Sequence, residues 1–266
     1  MCVLKVCAFA ALQNGFVNAA FSWGDPVIQT VGSPSYAYSF NGHGEYVFLK
    51  SENGLEIQAR LDYLVHEITD STIFTAFTFT NHHVNETVQI EFDRASKHIS
   101  LFLNNGTLWK TSPNCTIGPP IRTFGFMLVC LRPPVDGFHI APIMSLNNIL
   151  LDVMTDGEFM NIKVLAHPPL MNTTGLAGNV HDSFYVSKNA TKFPVNTTED
   201  DMFDYGESWY LRTQPNLSQF NYNLTGGNFS YFNAFSKPRF LQHLLNNTTA
   251  LFEKCNVTNV EEMTGV

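Results

Sequence analysis

Polar and apolar residues alternate along the first half of the chain. Glu56-Ile57-Gln58-Ala59-Arg60-Leu61-Asp62 alternates without a fault, and Thr87-Val88-Gln89-Ile90-Glu91-Phe92-Asp93 repeats the pattern. A strand sends successive side chains to opposite faces, so a period of two predicts antiparallel strands with one face buried and the other facing water. β-Branched and aromatic runs over residues 46–49, 72–80 and 98–103 predict further strands, divided by the turn formers Asn41-Gly42, Glu52-Asn53-Gly54 and Asn104-Asn105-Gly106. Residues 124–131, 149–153 and 159–165 continue the series up to Pro168-Pro169. Short strands at this spacing predict a mainly β fold, a two-sheet antiparallel β sandwich.

Beyond Pro168 the alternation fades. Asn and Thr dominate, with apolar anchors at Phe184, Phe193 and Trp209, which predicts long loops and short edge elements wrapped on the sandwich. Phe240, Leu241, Leu244, Leu245, Leu251 and Phe252 then recur at helical spacing behind Ser236 and Pro238, predicting a short C-terminal helical tail. At the other end, residues 1–20 hold Lys5, a short apolar run from Val6 to Leu12, and small residues before a cleavage site at Asn18-Ala19-Ala20. Lys5 and Gln13-Asn14-Gly15 interrupt that run, so a signal peptide and a truncated upstream region both stay open. The expected organisation is 1–22 as leader or upstream remnant, 23–211 as the β domain, and 212–266 as a partly helical extension. No stretch reaches the roughly 18 apolar residues of a membrane span, so a membrane anchor is expected outside this chain.

Composition narrows the partners. Apolar residues make up 44% of the chain and 23 residues are Phe, enough for a packed core. A formal charge of -8 with 15 Lys and Arg scattered singly argues against nucleic acid as a partner. The N-glycosylation triplet, Asn-x-Ser/Thr, occurs twelve times: at Asn85, Asn105, Asn114, Asn172, Asn189, Asn196, Asn216, Asn223, Asn228, Asn246, Asn247 and Asn256. Chance alone would supply about three or four. Used acceptors imply an extracellular location, secreted or as an ectodomain, and place these asparagines on solvent-facing loops. In an oxidising compartment Cys115 and Cys130 are expected to form a disulfide worth roughly 3 kcal/mol, leaving Cys2, Cys7 and Cys255.

The sequence contains no G-x-S-x-G elbow, no phosphate-binding G-x-x-x-x-G-K-[ST] loop and no H-E-x-x-H zinc helix. His66-Glu67 lacks a second histidine, and His82-His83 is read as an ordinary turn pair. The run Glu199-Asp200-Asp201 offers carboxylates for calcium, with a solvated acidic loop as the plainer expectation. Asp25-Pro26 carries intrinsic chemistry, since the Asp carboxylate can attack its own carbonyl while the prolyl nitrogen leaves.

Four segments, in order, resemble a von Willebrand factor type D domain. They are Trp23-Gly24-Asp25-Pro26 with Tyr38-Ser39-Phe40-Asn41-Gly42-His43-Gly44-Glu45-Tyr46-Val47-Phe48-Leu49; Ile57-Gln58-Ala59-Arg60; Thr174-Gly175-Leu176-Ala177-Gly178-Asn179; and Phe203-Asp204-Tyr205-Gly206-Glu207-Ser208-Trp209. The pattern is most similar to the subfamily of mucin-4-like, sushi-domain-containing and Mesh-like surface proteins. The resemblance implies a two-sheet β domain in a larger extracellular or membrane-anchored glycoprotein of adhesion, barrier or junction assembly. It also makes Asp25 and Pro26 the candidate autocleavage pair, although Val27 stands where the family has histidine and argues against scission. Calcium-binding members carry an Asp in a T-F-D-G turn; Thr30-Val31-Gly32-Ser33 has none, so no metal and no cofactor is expected. The expected function is a non-catalytic structural or adhesion module contacting extracellular or cell-surface proteins. The alternative is a secreted hydrolase or a carbohydrate- or lipid-binding protein on a β scaffold.

Overall fold

The computed structural model describes residues 17–222, apart from 24–25, 33–34, 65–70, 96–97, 104–105, 112–120, 123–126, 130–138, 141–142, 147–148, 156–157, 167–169, 171 and 212–214. The chain enters the fold through β1 (Val17–Trp23), β2 (Val27–Gln29) and β3 (Ala37–Ser39), which pair in succession. A six-stranded antiparallel meander follows: β4 (Gly44–Lys50), β5 (Leu55–Tyr63), β6 (Thr72–Asn81), β7 (Glu86–Asp93), β8 (His98–Leu103) and β9 (Gly106–Thr111). The chain then returns to the first sheet. Strands β10 (Ile121–Arg122), β11 (Met127–Val129), β12 (His139–Ile140), β13 (Ile143–Leu146), β14 (Ile149–Thr155) and β15 (Met160–Ala166) complete a nine-stranded sheet of order β10-β11-β13-β14-β15-β1-β2-β3, with β12 on β14.

The expected mainly β, two-sheet antiparallel architecture is therefore the observed one. Leu55, Ile57, Ala59 and Leu61 of β5 share one buried cluster with Phe77 and Phe79 of β6, Val88 and Ile90 of β7, and Ile162 and Val164 of β15. Phe74 and Phe77 stack at 5.2 Å between ring centroids, and Phe48 meets each of them edge-on at 5.9 and 6.0 Å. Offset and edge-on rings are the arrangements that the aromatic quadrupole favours. Burial of these side chains is the main driving force for closing the sandwich.

Strand β1 (Val17–Trp23) pairs with β15 and β2, so the nine-stranded sheet takes in residues 17–22. Beyond Pro168 the expected loops and short elements include a hairpin, β16 (Phe184–Val186) with β17 (Lys192–Pro194); the acidic run expected as a loop instead opens a nine-residue helix, α1 (Glu199–Glu207). Thr198 caps α1 by accepting from the Asp201 backbone N–H at 3.2 Å, and three carboxylates occupy the first turn, where the helix dipole favours negative charge. The expected tail helix over residues 236–255 lies outside the described residues.

Candidate functional site

Residues 174–177 and 205–211 converge on β4. The backbone of Gly175-Leu176-Ala177 crosses this strand, with Leu176 N donating to Val47 O at 3.0 Å and Ala177 N to Phe48 O at 2.8 Å. Gly175 has φ +108°, and a Cβ there would stand 2.7 Å from Phe48 O, so both backbone angle and space require glycine. Lys50 exchanges backbone hydrogen bonds with Thr174, while Val47 N donates to Trp209 O and Leu211 N to Glu45 O. Helix α1 closes the assembly. Tyr205 donates to Gly175 O at 2.8 Å, Tyr46 donates to Glu207 Oε1 at 2.7 Å, and a Cβ on Gly206 would meet the Phe40 ring at 2.1 Å.

The outer face of the meander is not the open polar face that strict alternation predicts. Glu45, Gln58, Thr78 and Gln89 are buried, and Arg60 is only 4% exposed. Their cover is the strap of residues 215–222, which the sequence places in the C-terminal extension. Register explains the ionic centre: Glu45 lies opposite Arg60, Arg60 opposite Ala76, and Ala76 opposite Glu91. The small Ala76 lets the Arg60 side chain pass over β6. Arg60 Nε donates to Glu45 Oε1 at 3.1 Å and Nη1 to Glu91 Oε1 at 2.6 Å. Burial alone would lower the Arg60 pKa, but the Glu91 and Glu45 carboxylates outweigh it and raise it. One guanidinium thus holds two carboxylates that would otherwise repel.

The strap is read by side chains. The Gln58 amide accepts from Gln219 N at 2.8 Å and donates to Leu217 O at 2.7 Å, imitating a neighbouring strand. Gln89 accepts from Asn221 N at 2.7 Å, and Ser218 donates to Glu45 Oε2 at 2.8 Å. Phe220 lies 4.3 Å over the Arg60 guanidinium and Tyr222 lies 5.2 Å from it, while the Tyr222 hydroxyl donates to Glu45. Cation–π contact of a desolvated Arg adds attraction to the packing. Beside the strap opens a cleft of about 450 Å³ bordered by Val47, Lys50, Glu56, Thr174, Trp209 and Asn216 among others. Within it Glu56 accepts from Gln58, and its other oxygen lies 2.9 Å from His82 Nε2 and 3.1 Å from Lys50 Nζ. Burial raises the Glu56 pKa, yet the hydrogen bonds from Gln58, His82 and Lys50 bring it below the ordinary value.

Of the acceptor asparagines, Asn85, Asn172, Asn189, Asn196 and Asn216 fall among the described residues, and each is exposed. Asn85 and Asn172 adopt φ of 51° and 49°, the turn conformation that Asn tolerates. Asn105, Asn114, Asn223, Asn228, Asn246, Asn247 and Asn256 lie outside the described residues, as do Asp25, His66, Glu67 and the five cysteines, including the expected Cys115–Cys130 pair. Pro26 is buried in the turn between β1 and β2, and its carbonyl accepts from Phe40 N at 2.9 Å. The acidic run is not a loop: Glu199, Asp200 and Asp201 form the first turn of α1, where hydrogen bonds from Thr197 and Thr198 lower the Asp201 pKa. Among the described residues no group of three or more His, Cys, Asp or Glu is placed to hold a metal ion. No described helix is long and apolar enough to cross a membrane. The strap and the Glu45–Arg60–Glu91 centre were missed by sequence reasoning, because Gln58 and Arg60 look like any solvent-facing positions of an amphipathic strand. The chain matches no protein-family model and no curated protein.

Proposed function

We propose that this chain is a non-catalytic, glycan-bearing β module of an extracellular protein, secreted or part of a cell-surface ectodomain, that presents a rigid surface to protein partners and spaces its neighbours. The observation that carries the reading is the exposure of all five described acceptor asparagines, four in turns or bends and Asn216 in a short 3-10 turn of helix, where an oligosaccharide can be accommodated. Two further features support it. The strongest ionic constellation, Glu45–Arg60–Glu91, is engaged with itself and with the strap, a fixing role rather than one that meets a substrate. Described residues of all four segments that resemble a von Willebrand type D domain lie on β4 or pack against it.

Expression in a eukaryotic secretory host tests the proposal. The secreted product should run well above its polypeptide mass of 29.9 kDa and collapse to it after enzymatic removal of N-linked sugar. A product that stays in the cytosol, or one that is secreted without any mass shift, would overturn it.

A further inference from the structure

We propose that the cleft beside the strap is a carbohydrate seat, filled by the first sugars of the glycan on Asn216. The inference rests on the glycoprotein reading and adds the place and role of one particular sugar. Asn216 is exposed and itself borders the cleft, so a glycan attached there starts at the rim of the cavity. About 450 Å³ falls within the size range of small-ligand sites, roughly 300–1,000 Å³. The walls offer both chemistries that a pyranose ring requires. Val47, Trp209 and Leu217 present apolar surface to its C–H faces, while Lys50, Glu56 and Thr174 present groups that bond to hydroxyls. Leu217 is 51% exposed, an apolar side chain next to the acceptor that a sugar would cover. The same juxtaposition recurs at Val84, 45% exposed, beside Asn85.

The order of events follows from the strap. In the folded chain the Ser218 hydroxyl of the acceptor triplet is committed to Glu45, and Leu217 O to Gln58. Transfer to Asn216 therefore precedes docking of the strap. In that step Asn216 Nδ2 bonds to the anomeric carbon of an oligosaccharide carried on a lipid diphosphate, the nitrogen loses a proton, and the lipid diphosphate leaves. The attached sugar then settles over the cleft and holds the strap down.

The test compares the full chain with Asn216→Gln, and with Asn196→Gln as an acceptor outside the cleft, all made in a secretory host. Peptide mass spectrometry should find sugar on Asn216. Asn216→Gln should lower Tm by about 2–4 °C and speed hydrogen exchange in residues 215–222 and 47–56, whereas Asn196→Gln leaves both unchanged. Trimming the wild-type glycan to its first N-acetylglucosamine should keep most of the protection. A glycosylated Asn216 whose loss changes neither Tm nor exchange would overturn the inference and leave the glycoprotein reading standing. Sugar on other acceptors but not on Asn216 would do the same, and a chain without sugar at any acceptor would overturn both. The same substitution in protein made without glycosylation isolates the side chain, and an equal Tm drop there would also overturn the inference.

Discussion

The two faces of β5 are buried by different means. On the inner face Leu55, Ile57, Ala59 and Leu61 meet other apolar side chains across the sandwich; on the outer face Glu56, Gln58 and Arg60 are covered by neighbouring polar groups and by the strap. Apolar packing is non-directional and tolerates volume-conserving exchange. Hydrogen bonding in a buried interface is directional, and each lost partner leaves a buried group unsatisfied. The inner face therefore supplies driving force, and the outer face supplies register, fixing which backbone atoms of residues 217–221 lie over which strand.

The largest expected effect comes from breaking the ionic centre. Arg60→Ala should cost about 3–5 kcal/mol in denaturant unfolding, because Glu45 is then buried, and Glu91 half-buried, without their cation. A cost no larger than that of a surface substitution, about 0.5 kcal/mol, would break the comparison. Gln58→Leu keeps the volume but strands Gln219 N and Leu217 O. It should cost about 1–3 kcal/mol and raise hydrogen exchange selectively at 215–222. On the opposite face Ile57→Val should cost only about 0.5–1.5 kcal/mol and leave strap exchange unchanged; matching exchange profiles for the two variants would erase the distinction between faces.

The smallest effects at neutral pH come from titration. Burial raises the pKa of Tyr38, Tyr46, Tyr205 and Tyr222 above the ordinary value of 10.0, with Glu207 adding to the effect at Tyr46 and Glu45 at Tyr222; Tyr185 is pushed up to about 12. A raised folded value means that the stabilisation is complete below the unfolded value near 10 and is lost as pH climbs through the folded values. Ultraviolet titration should show a set of tyrosines that ionise only as the chain unfolds in alkali. Glu56 has the opposite sign: its depressed pKa stabilises above about 4.5 and that contribution disappears as pH falls through the lower folded value. Glu56→Gln should flatten the acid limb of a Tm–pH profile.

Legibility in the sequence followed the physics of each element. The alternation in β5 and β7 announced strands because one face is continuous and apolar. The same alternation misled about the other face, since Gln58 and Arg60 carry no local mark of a partner more than 150 residues away. Helix α1 was readable in principle, for Thr198 followed by Asp201 is a capping pattern, but its acidic first turn looked like a solvated loop. Strand β1 was obscured because its small residues Asn18, Ala19 and Ala20 also resemble a processing site. The convergence on β4 was only half visible: order along the chain suggested related segments, and the hydrogen bonds that join them are long-range.

The pairing along β4 has a consequence for life at high local concentration. The outer strand of a meander ordinarily offers a row of unclaimed amide and carbonyl groups onto which a second molecule can zip, the start of fibril growth. Here the row is already answered by Thr174, Leu176, Ala177, Trp209 and Leu211 of the same chain. At this flank the molecule cannot seed its own kind.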